Sequence, residues 1–370
     1  MGSVAYTLIP ILMILIFWVY LFFRIYKNLK TSALKKGWQI AIPIAVGGAI
    51  TLPIAGLWTA IDPYSVAVVY FCGFLVLTDL IIFIIRLFLK RDNKVWKTIR
   101  SFMLIPLLCT VIMLIYGAIN VRNIVRTEYD ISTDKSIRAE GYKIALLSDV
   151  HYGKLNNKSA LEELAGSLST QELDMFVLCG DIVDEGTTKA QMQEIFSILG
   201  TVKSTYGGYF IFGNHDTQPY SKKPNFTEAE LVSAIEQNGI AVLKDESVSI
   251  ADDILLVGRR DRRDERKSPE ELLVGADSSK YIIFADHKPY DFKEKSDAGV
   301  DLQLSGHTHG GQLFPVGTVM DLFNIGDMVY GKKRVGNMTA ITTSGISGSR
   351  PLRTQGKSEY VIITINSRVG

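Results

Sequence analysis

A chain of 370 residues is long enough for about two domains of ordinary size. Its 40 Lys and Arg against 38 Asp and Glu leave a net charge of +2, which implies no polyanion partner, so no nucleic acid partner is expected. Three cysteines, Cys72 and Cys109 in apolar runs and Cys179 in a buried-looking strand, suggest no disulfide framework and leave the redox compartment open.

The apolar residues are unevenly spread, with the long runs before Ile119 and mixed charge after it. The first run, Val4 to Phe23, has no charged residue and would span about 30 Å as a helix. Arg24, Lys27, Lys30, Lys35 and Lys36 follow it, the reverse of the charge order in a cleavable signal peptide, so a retained span is expected. The opening MGSVAY places Tyr6 where a myristoylation signal needs Ser or Thr. Runs at Gln39 to Trp58, Val66 to Ile85 and Phe102 to Ile119 complete an expected domain of four transmembrane helices. Pro43, Gly47, Gly48 and Pro53 in the second span are within ordinary membrane-helix usage. Asp79 in the third span is costly at that depth and is expected to make a structural polar contact.

Orientation follows from the loops. Five basic residues separate spans one and two, AIDPYS between two and three has none, and Arg86, Lys90, Arg91, Lys94, Lys97 and Arg100 separate three and four. The positive-inside rule places both basic loops in the cytoplasm and the remainder of the chain outside, although Arg122 and Arg126 count against this. The basic loops are expected to meet anionic headgroups.

Residues 120–140, NVRNIVRTEYDISTDKSIRAE, form a charged connector. From Tyr142 onward, short β-rich runs such as KIALLSD, MFVLCGD and GYFIFGNHD alternate with helical ones such as SALEELAGSL and KAQMQEIFSIL, the pattern of an α/β domain. Five apolar runs end on ligand-type residues: Asp149 and His151, Asp181, Asn214 and His215, His287, and His307 and His309. The chain has 5 histidines, and all of them occupy these positions. Imidazoles and carboxylates converging from strand ends make a mixed N/O site suited to Mn, Fe or Zn.

In order and spacing, SDVHYG, LCGDIVDEG, FGNHD, ADHKPYD and SGHTHGGQ resemble the five motifs of the calcineurin-like metallophosphoesterases, over residues 141 to 370. With the preceding spans, the chain is similar to membrane-bound bacterial members of that family. The resemblance implies two packed β-sheets flanked by helices, with two divalent metal ions at the strand ends. It assigns Asp149, His151, Asp181 and His309 to one metal and Asp181, Asn214, His287 and His307 to the other, with Asp181 bridging. On this assignment His307 and His309, alternate residues facing one way, each serve a different metal. Gly306, Gly310 and Gly311 let the backbone turn tightly around them.

Two cations about 3.5–4 Å apart lower the pKa of a shared water and neutralise charge during in-line displacement, so the implied nucleophile is a metal-bound hydroxide. His215 resembles the family's general acid; Asp184 matches the acid that orients it, with Asp216 as the competing candidate. The protein Ser/Thr phosphatases carry Arg where this chain has Glu185, and their GHTH segment ends differently. That directs the expectation to phosphodiesters, pyrophosphates or small phosphate esters. GRRDRRDERK, residues 258–267, offers Arg259, Arg260 and Arg262 as phosphate contacts, although its near-balance of charge fits a solvated loop.

The expected whole is a multi-pass α-helical membrane domain (1–119), a connector (120–140) and an α/β metallophosphoesterase domain (141–370). It would act on a phosphate ester, lipid-linked or from the envelope, at the outer side of a bacterial cell membrane. Two alternatives stand beside it: a cytoplasmic nucleotide-lipid pyrophosphatase, and a non-catalytic metal-binding sensor module.

Overall fold

The computed structural model describes residues 2–52, 54, 63–89, 103–153, 158–348 and 350–368, and its chain divides into two compact units, Met1–Tyr116 and Gly117–Gly370. The helices that begin in the first unit are α1 (Gly2–Leu29), α2 (Lys36–Thr51), α3 (Pro63–Leu89) and α4 (Leu104–Asn120), the last ending in the second unit. Among the described residues, two helical segments are long and apolar enough to cross a membrane, Ile11–Leu29 and Pro63–Ile85, rather than the expected four. At about 1.5 Å per residue, the 16 residues of α2 and 17 of α4 fall short of a hydrocarbon core of about 30 Å. Met103, immediately before helix α4, takes a left-handed backbone, φ 53°. Pro53 and Trp58 of the expected second span, Phe102 of the fourth and most of the second basic loop, Lys90 to Arg100, lie outside the described residues.

Asp79 on α3 makes the polar contact its depth calls for. Tyr20 OH on α1 donates to Asp79 Oδ2 at 2.6 Å, and Arg24, one turn further along α1, ion-pairs with the same oxygen.

The second unit contains two six-stranded mixed sheets. The first has the order β1 (Ile124–Thr133), β12 (Ser358–Ser367), β2 (Tyr142–Leu147), β3 (Met175–Cys179), β4 (Gly208–Ile211), β5 (Ile240–Val242). The second has the order β10 (Gly331–Val335), β11 (Met338–Thr342), β9 (Leu302–Ser305), β8 (Tyr281–Ala285), β7 (Ile254–Gly258), β6 (Glu246–Ile250). The charged connector is therefore not a free linker. Its residues Ile124–Thr133 pair in parallel along the whole of β12, because the alternation in IVRTEYDIST turns Ile131 and Thr133 inward.

Period-two patterning divides each strand between two cores. Ile144 and Leu146, then Met175, Val177 and Cys179, face the space between the sheets, where they meet Leu256, Ile283, Leu302 and Leu304. Ala145, Leu147, Phe176 and Leu178 face the other way, onto α5 (Lys158–Ser169), α6 (Lys189–Leu199) and α7 (Glu228–Gln237). Those helices answer at helical spacing, with Leu161, Leu164, Ala165 and Leu168 on α5 and Met192, Ile195, Phe196 and Leu199 on α6. Capping boxes at Thr188 with Gln191 and at Thr227 with Glu230 set where α6 and α7 begin. The outer face of the second sheet is covered by Phe292 and Val300. The result is a layered sandwich in which β2, β3, β4, β8 and β9 deliver their carboxyl ends to one edge.

Candidate metal centre

Each of those five strands continues directly into a ligand-type residue: β2 into Asp149 and His151, β3 into Asp181, β4 into Asn214 and His215, β8 into His287, β9 into His307 and His309. Two groups form there, Asp149 with His151 and His309, and Asp181 with His287 and His307, the potential donor atoms in each lying within 4.8 Å of one another. Asp181 joins them: its Oδ2 is 3.1 Å from His287 Nε2 and 4.0 Å from His151 Nε2, while its Oδ1 accepts the His215 N–H at 2.8 Å. Asn214 Oδ1 is buried with no partner.

Close packing of these groups is possible because the loops are bent sharply. Asp149, His151, Asp181, His307 and His309 all have left-handed backbone, with φ of 53°, 45°, 53°, 71° and 51°. Such conformations are uncommon outside glycine and cost of order 1–3 kcal/mol each, which the surrounding structure must offset. His307 and His309 are thus not alternate residues of a strand, as the sequence suggested. β9 stops at Ser305, and the two rings diverge from a turn that passes into a short 3-10 segment, His309–Gly311. Close approach demands glycine at two points, since a Cβ at Gly213 would strike the Asp181 carboxylate and one at Gly306 would strike Ser148 and Asp149.

The protonation states suit a cation. Burial tends to raise both carboxyls, but the histidines beside them hold Asp149 below the usual range and Asp181 well below it. Burial pulls His307 down to about 4 and His309 to about 3, so both are neutral with free lone pairs. His287 goes the other way, up to about 10, because the adjacent Asp181 outweighs burial. Its Nδ1 is 2.7 Å from the Cys179 carbonyl and must donate to it, so Nε2 is the nitrogen that faces Asp181 Oδ2, at 3.1 Å, and carries the proton that a cation would displace. His151 Nε2 is buried without a hydrogen bond, and Asp184 Oδ2 lies 3.3 Å from His151 Nδ1. Buried nitrogen and oxygen lone pairs left unpaired next to two ionised carboxylates are what a pair of divalent ions would satisfy. The residues present therefore fit such ions.

Three expectations change at this point. Asp184 does not orient His215: it is fully buried, its Oδ1 accepts the Gly186 N–H, and its other oxygen faces His151. The partner of His215 Nδ1 is Glu185 Oε2, at 2.7 Å. Asp216 is spent on the backbone, accepting N–H groups from Asp181, Ile182, Val183 and Gly213, and so ties the loop after β3 to the loop after β4. Burial and the Asp181 charge push Asp216 up to about 7. The arginines are also differently engaged. Arg259 is buried between Asp286 (3.4 Å) and Asp291 (3.1 Å), Arg260 pairs with Asp264 and Glu228, and Arg262 lies over Tyr290 beside Asp291.

Sequence reading missed Arg263 and Tyr220. Arg263 lies 4.3 Å over the Tyr220 ring, whose centroid is 5.1 Å from that of His215, and its Nη1 is 3.4 Å from the Asn214 carbonyl. Nothing local separates Arg263 from its neighbours in GRRDRRDERK.

Burial lowers His215, but the Glu185 hydrogen bond and the nearby carboxylates outweigh it and raise its pKa. If the protonated ring is the working form, activity falls as pH rises through that raised pKa. Glu185→Gln removes the cause, so the alkaline limb of the pH–rate profile is expected to move to lower pH. A profile that did not move would show that Glu185 has no part in setting this proton.

A family model described as calcineurin-like phosphoesterase matches residues 142–311. An uncharacterized metallophosphoesterase of Campylobacter jejuni is 28% identical over 325 residues, covering 85% of this chain and 83% of that protein. One from Aquifex aeolicus is 29% identical, covering 65% of this chain and 91% of its own. A zebrafish (Danio rerio) transmembrane protein with a metallophosphoesterase domain is 26% identical, covering 70% and 62% respectively.

Proposed function

We infer, from the premise that residues 142–311 belong to the calcineurin-like phosphoesterase family, that this chain is a membrane-anchored, metal-dependent phosphoric ester hydrolase acting on diesters, pyrophosphates or small esters. The observation that carries the reading is the pair of ligand groups sharing Asp181, with a carboxylate-held His215 next to them. Asp149, His151, Asp181 and His309 would hold one ion, and Asp181, Asn214, His287 and His307 the other. Bound there, two divalent ions supply a water of lowered pKa and neutralise phosphoryl charge.

The chain's own residues do the rest. Asp184 faces Nδ1 of His151 and so favours its Nε2 as the ligand atom. Asp216 holds the amides of the loops that carry Asp181 and Asn214, so the ligands keep their positions when a substrate enters. Glu185 takes Nδ1 of His215, which leaves Nε2 to give a proton to the leaving oxygen. His215 and Glu185 also favour catalysis over a metal-binding sensor module, in which neither has a task.

Arg263, beside Asn214 and Tyr220, is positioned to meet a non-reacting phosphate oxygen. Arg263→Ala is expected to raise KM and lower kcat/KM by about tenfold, the worth of one charged hydrogen bond. A kcat/KM within twofold of wild type would remove Arg263 from the substrate contacts.

A lipid-linked substrate is supported by the two helical segments long enough to cross a membrane. An outward-facing second unit is supported by the basic residues Arg24 to Lys36 after the first of them. The test is hydrolysis of a chromogenic phosphodiester and its monoester by the full chain, after chelation and after Mn²⁺ is restored. Metal-restored hydrolysis supports the reading, and the diester-to-monoester ratio assigns the ester class; no hydrolysis with any divalent ion would sink it.

A further inference from the structure

The turn that carries His309 runs directly into a stretch that presents hydrocarbon to solvent. Phe314, Val316, Val319, Leu322, Phe323 and Ile325 are 41 to 73% exposed. Helix α10 (Val316–Leu322), which is preceded by α8 (Pro269–Leu272) and α9 (Phe292–Asp297), explains how they gather. Its inner side is Gly317, buried against Gly310 and Gly311, where a Cβ on Gly311 would overlap the Gly317 backbone. Val316, Val319 and Phe323 follow at helical spacing on another side of the helix and remain uncovered. Scattered apolar side chains on a surface need no explanation, but a contiguous group of this kind marks a contact.

The chain itself indicates what the contact is. Helix α4 carries no charged residue and is mostly apolar, and its last residues, Gly117–Asn120, belong to the second unit. Gly117 O accepts the Arg353 N–H at 3.0 Å, and Asn120 Nδ2 donates to the carbonyls of Arg353 and Gly356 at 3.0 and 2.9 Å. Between those two residues stands Gln355, whose Oε1 accepts the Gly317 N–H and whose Nε2 reaches Thr318 Oγ1. One short segment, 353–356, thus holds both the end of an apolar helix and the helix that bears the exposed apolar face. Arg353 also donates from Nη1 to the His309 carbonyl at 2.9 Å. The adjoining cleft carries both signs of charge, Lys332 and Lys333 with Asp321 and Asp327, beside Met320, Ile325 and Tyr330, so the apolar group has a polar rim.

We propose that this face docks on a lipid bilayer, with Phe314, Val316, Val319, Leu322 and Phe323 entering the boundary between headgroups and acyl chains. Lys332 and Lys333 would meet anionic headgroups there. Because the helix packs directly against Gly310 and Gly311, docking would bring the His307–His309 turn toward the lipid surface, so that the site receives phosphate esters from the membrane plane. The inference rests on the membrane-anchored reading above and names the surface by which a lipid-borne ester would reach the site.

The test uses the full chain in vesicles of phosphatidylglycerol and phosphatidylethanolamine, with Cys72 and Cys109 replaced by Ala. A nitroxide is placed at Phe323→Cys or, as the control, at the exposed Ser233→Cys. Relaxation by oxygen, which concentrates in lipid, is compared with relaxation by a water-soluble nickel chelate. Oxygen-dominated relaxation at 323 and nickel-dominated relaxation at 233 are expected. Nickel-dominated relaxation at both positions overturns the proposal, and so does shielding of 323 from both reagents, which would mean a second copy or another protein covers the face. A Val319→Ser, Leu322→Ser, Phe323→Ser variant is expected to hydrolyse a soluble chromogenic ester normally and a phosphatidyl diester in the same vesicles at least tenfold more slowly. Equal hydrolysis of the phosphatidyl diester by variant and wild type counts against the docking. Lipid contact at 323 with no hydrolysis of any lipid-borne ester sustains the docking and sinks the lipid-substrate reading alone.

Discussion

Asp181→Asn is expected to eliminate metal-dependent hydrolysis, lowering kcat by about three powers of ten or more, because several kcal/mol of charge stabilisation are lost when both ions are weakened together. Among the described residues, no other stands between the two ligand groups with one oxygen within 4.0 Å of an imidazole nitrogen from each. Asn keeps an Oδ1 able to accept the His215 N–H, so the fold is expected to persist and the loss to appear in metal content. Elemental analysis should find about two ions per wild-type chain and fewer than one in the variant, with excess Mn²⁺ failing to restore activity. Two ions retained, with kcat within tenfold of wild type, would show that Asp181 is not shared. A pH dependence follows from His287. In the metal-free protein Asp181 holds its pKa at about 10, so a cation taking Nε2 must displace a proton. Metal uptake should therefore release protons and weaken as pH falls.

His215→Ala is expected to cost about 10²–10⁴ in kcat on esters whose leaving group is an alkoxide, the usual worth of a positioned general acid. On an ester that releases nitrophenolate, an anion stable near neutral pH, the loss should be much smaller because that oxygen leaves without a proton. The two groups of metal ligands do not include His215, so metal content should stay at the wild-type level. The contrast between leaving groups is the discriminating measurement. Equal losses on both esters would assign His215 to substrate positioning instead of proton transfer. Glu185→Gln on the same two esters separates holding the ring from charging it: a shifted pH profile with near-normal kcat at low pH marks the second role.

Two features near the site came from contacts that sequence does not express. Asp184 and Glu185 are adjacent carboxylates, and either one fits a His-holding role by type. The choice is made by the turn at Asp184–Thr187, where Asp184 Oδ1 takes the Gly186 N–H and Thr187 Oγ1 takes the Asp184 N–H. That turn buries Asp184 toward His151 and leaves Glu185 beside His215. The arginines of GRRDRRDERK are similarly alike in type, and it is Asp286 and Asp291, distant in sequence, that hold Arg259 and Arg266. That leaves Arg263 on Tyr220 next to the site.

What the sequence determined by itself was what local chemistry can express. Alternating apolar residues specified strands with two buried faces, and helical spacing specified which side of α5 to α7 packs down. Uncharged runs specified the apolar first unit, and the ligand-type residues at five strand ends specified the edge where a metal centre could form. The tertiary structure decided the partners and the exposures. It made a strand of the apparent connector by supplying β12 as its neighbour. It turned Asp216 into a backbone tie and set the ligands on left-handed backbone that their own propensities disfavour. It also left the apolar stretch after His309 facing outward, although in sequence that stretch is indistinguishable from core. The physical reason is the same throughout: periodicity and residue type act over a few bonds, whereas burial and pairing depend on which distant segment arrives to meet a side chain.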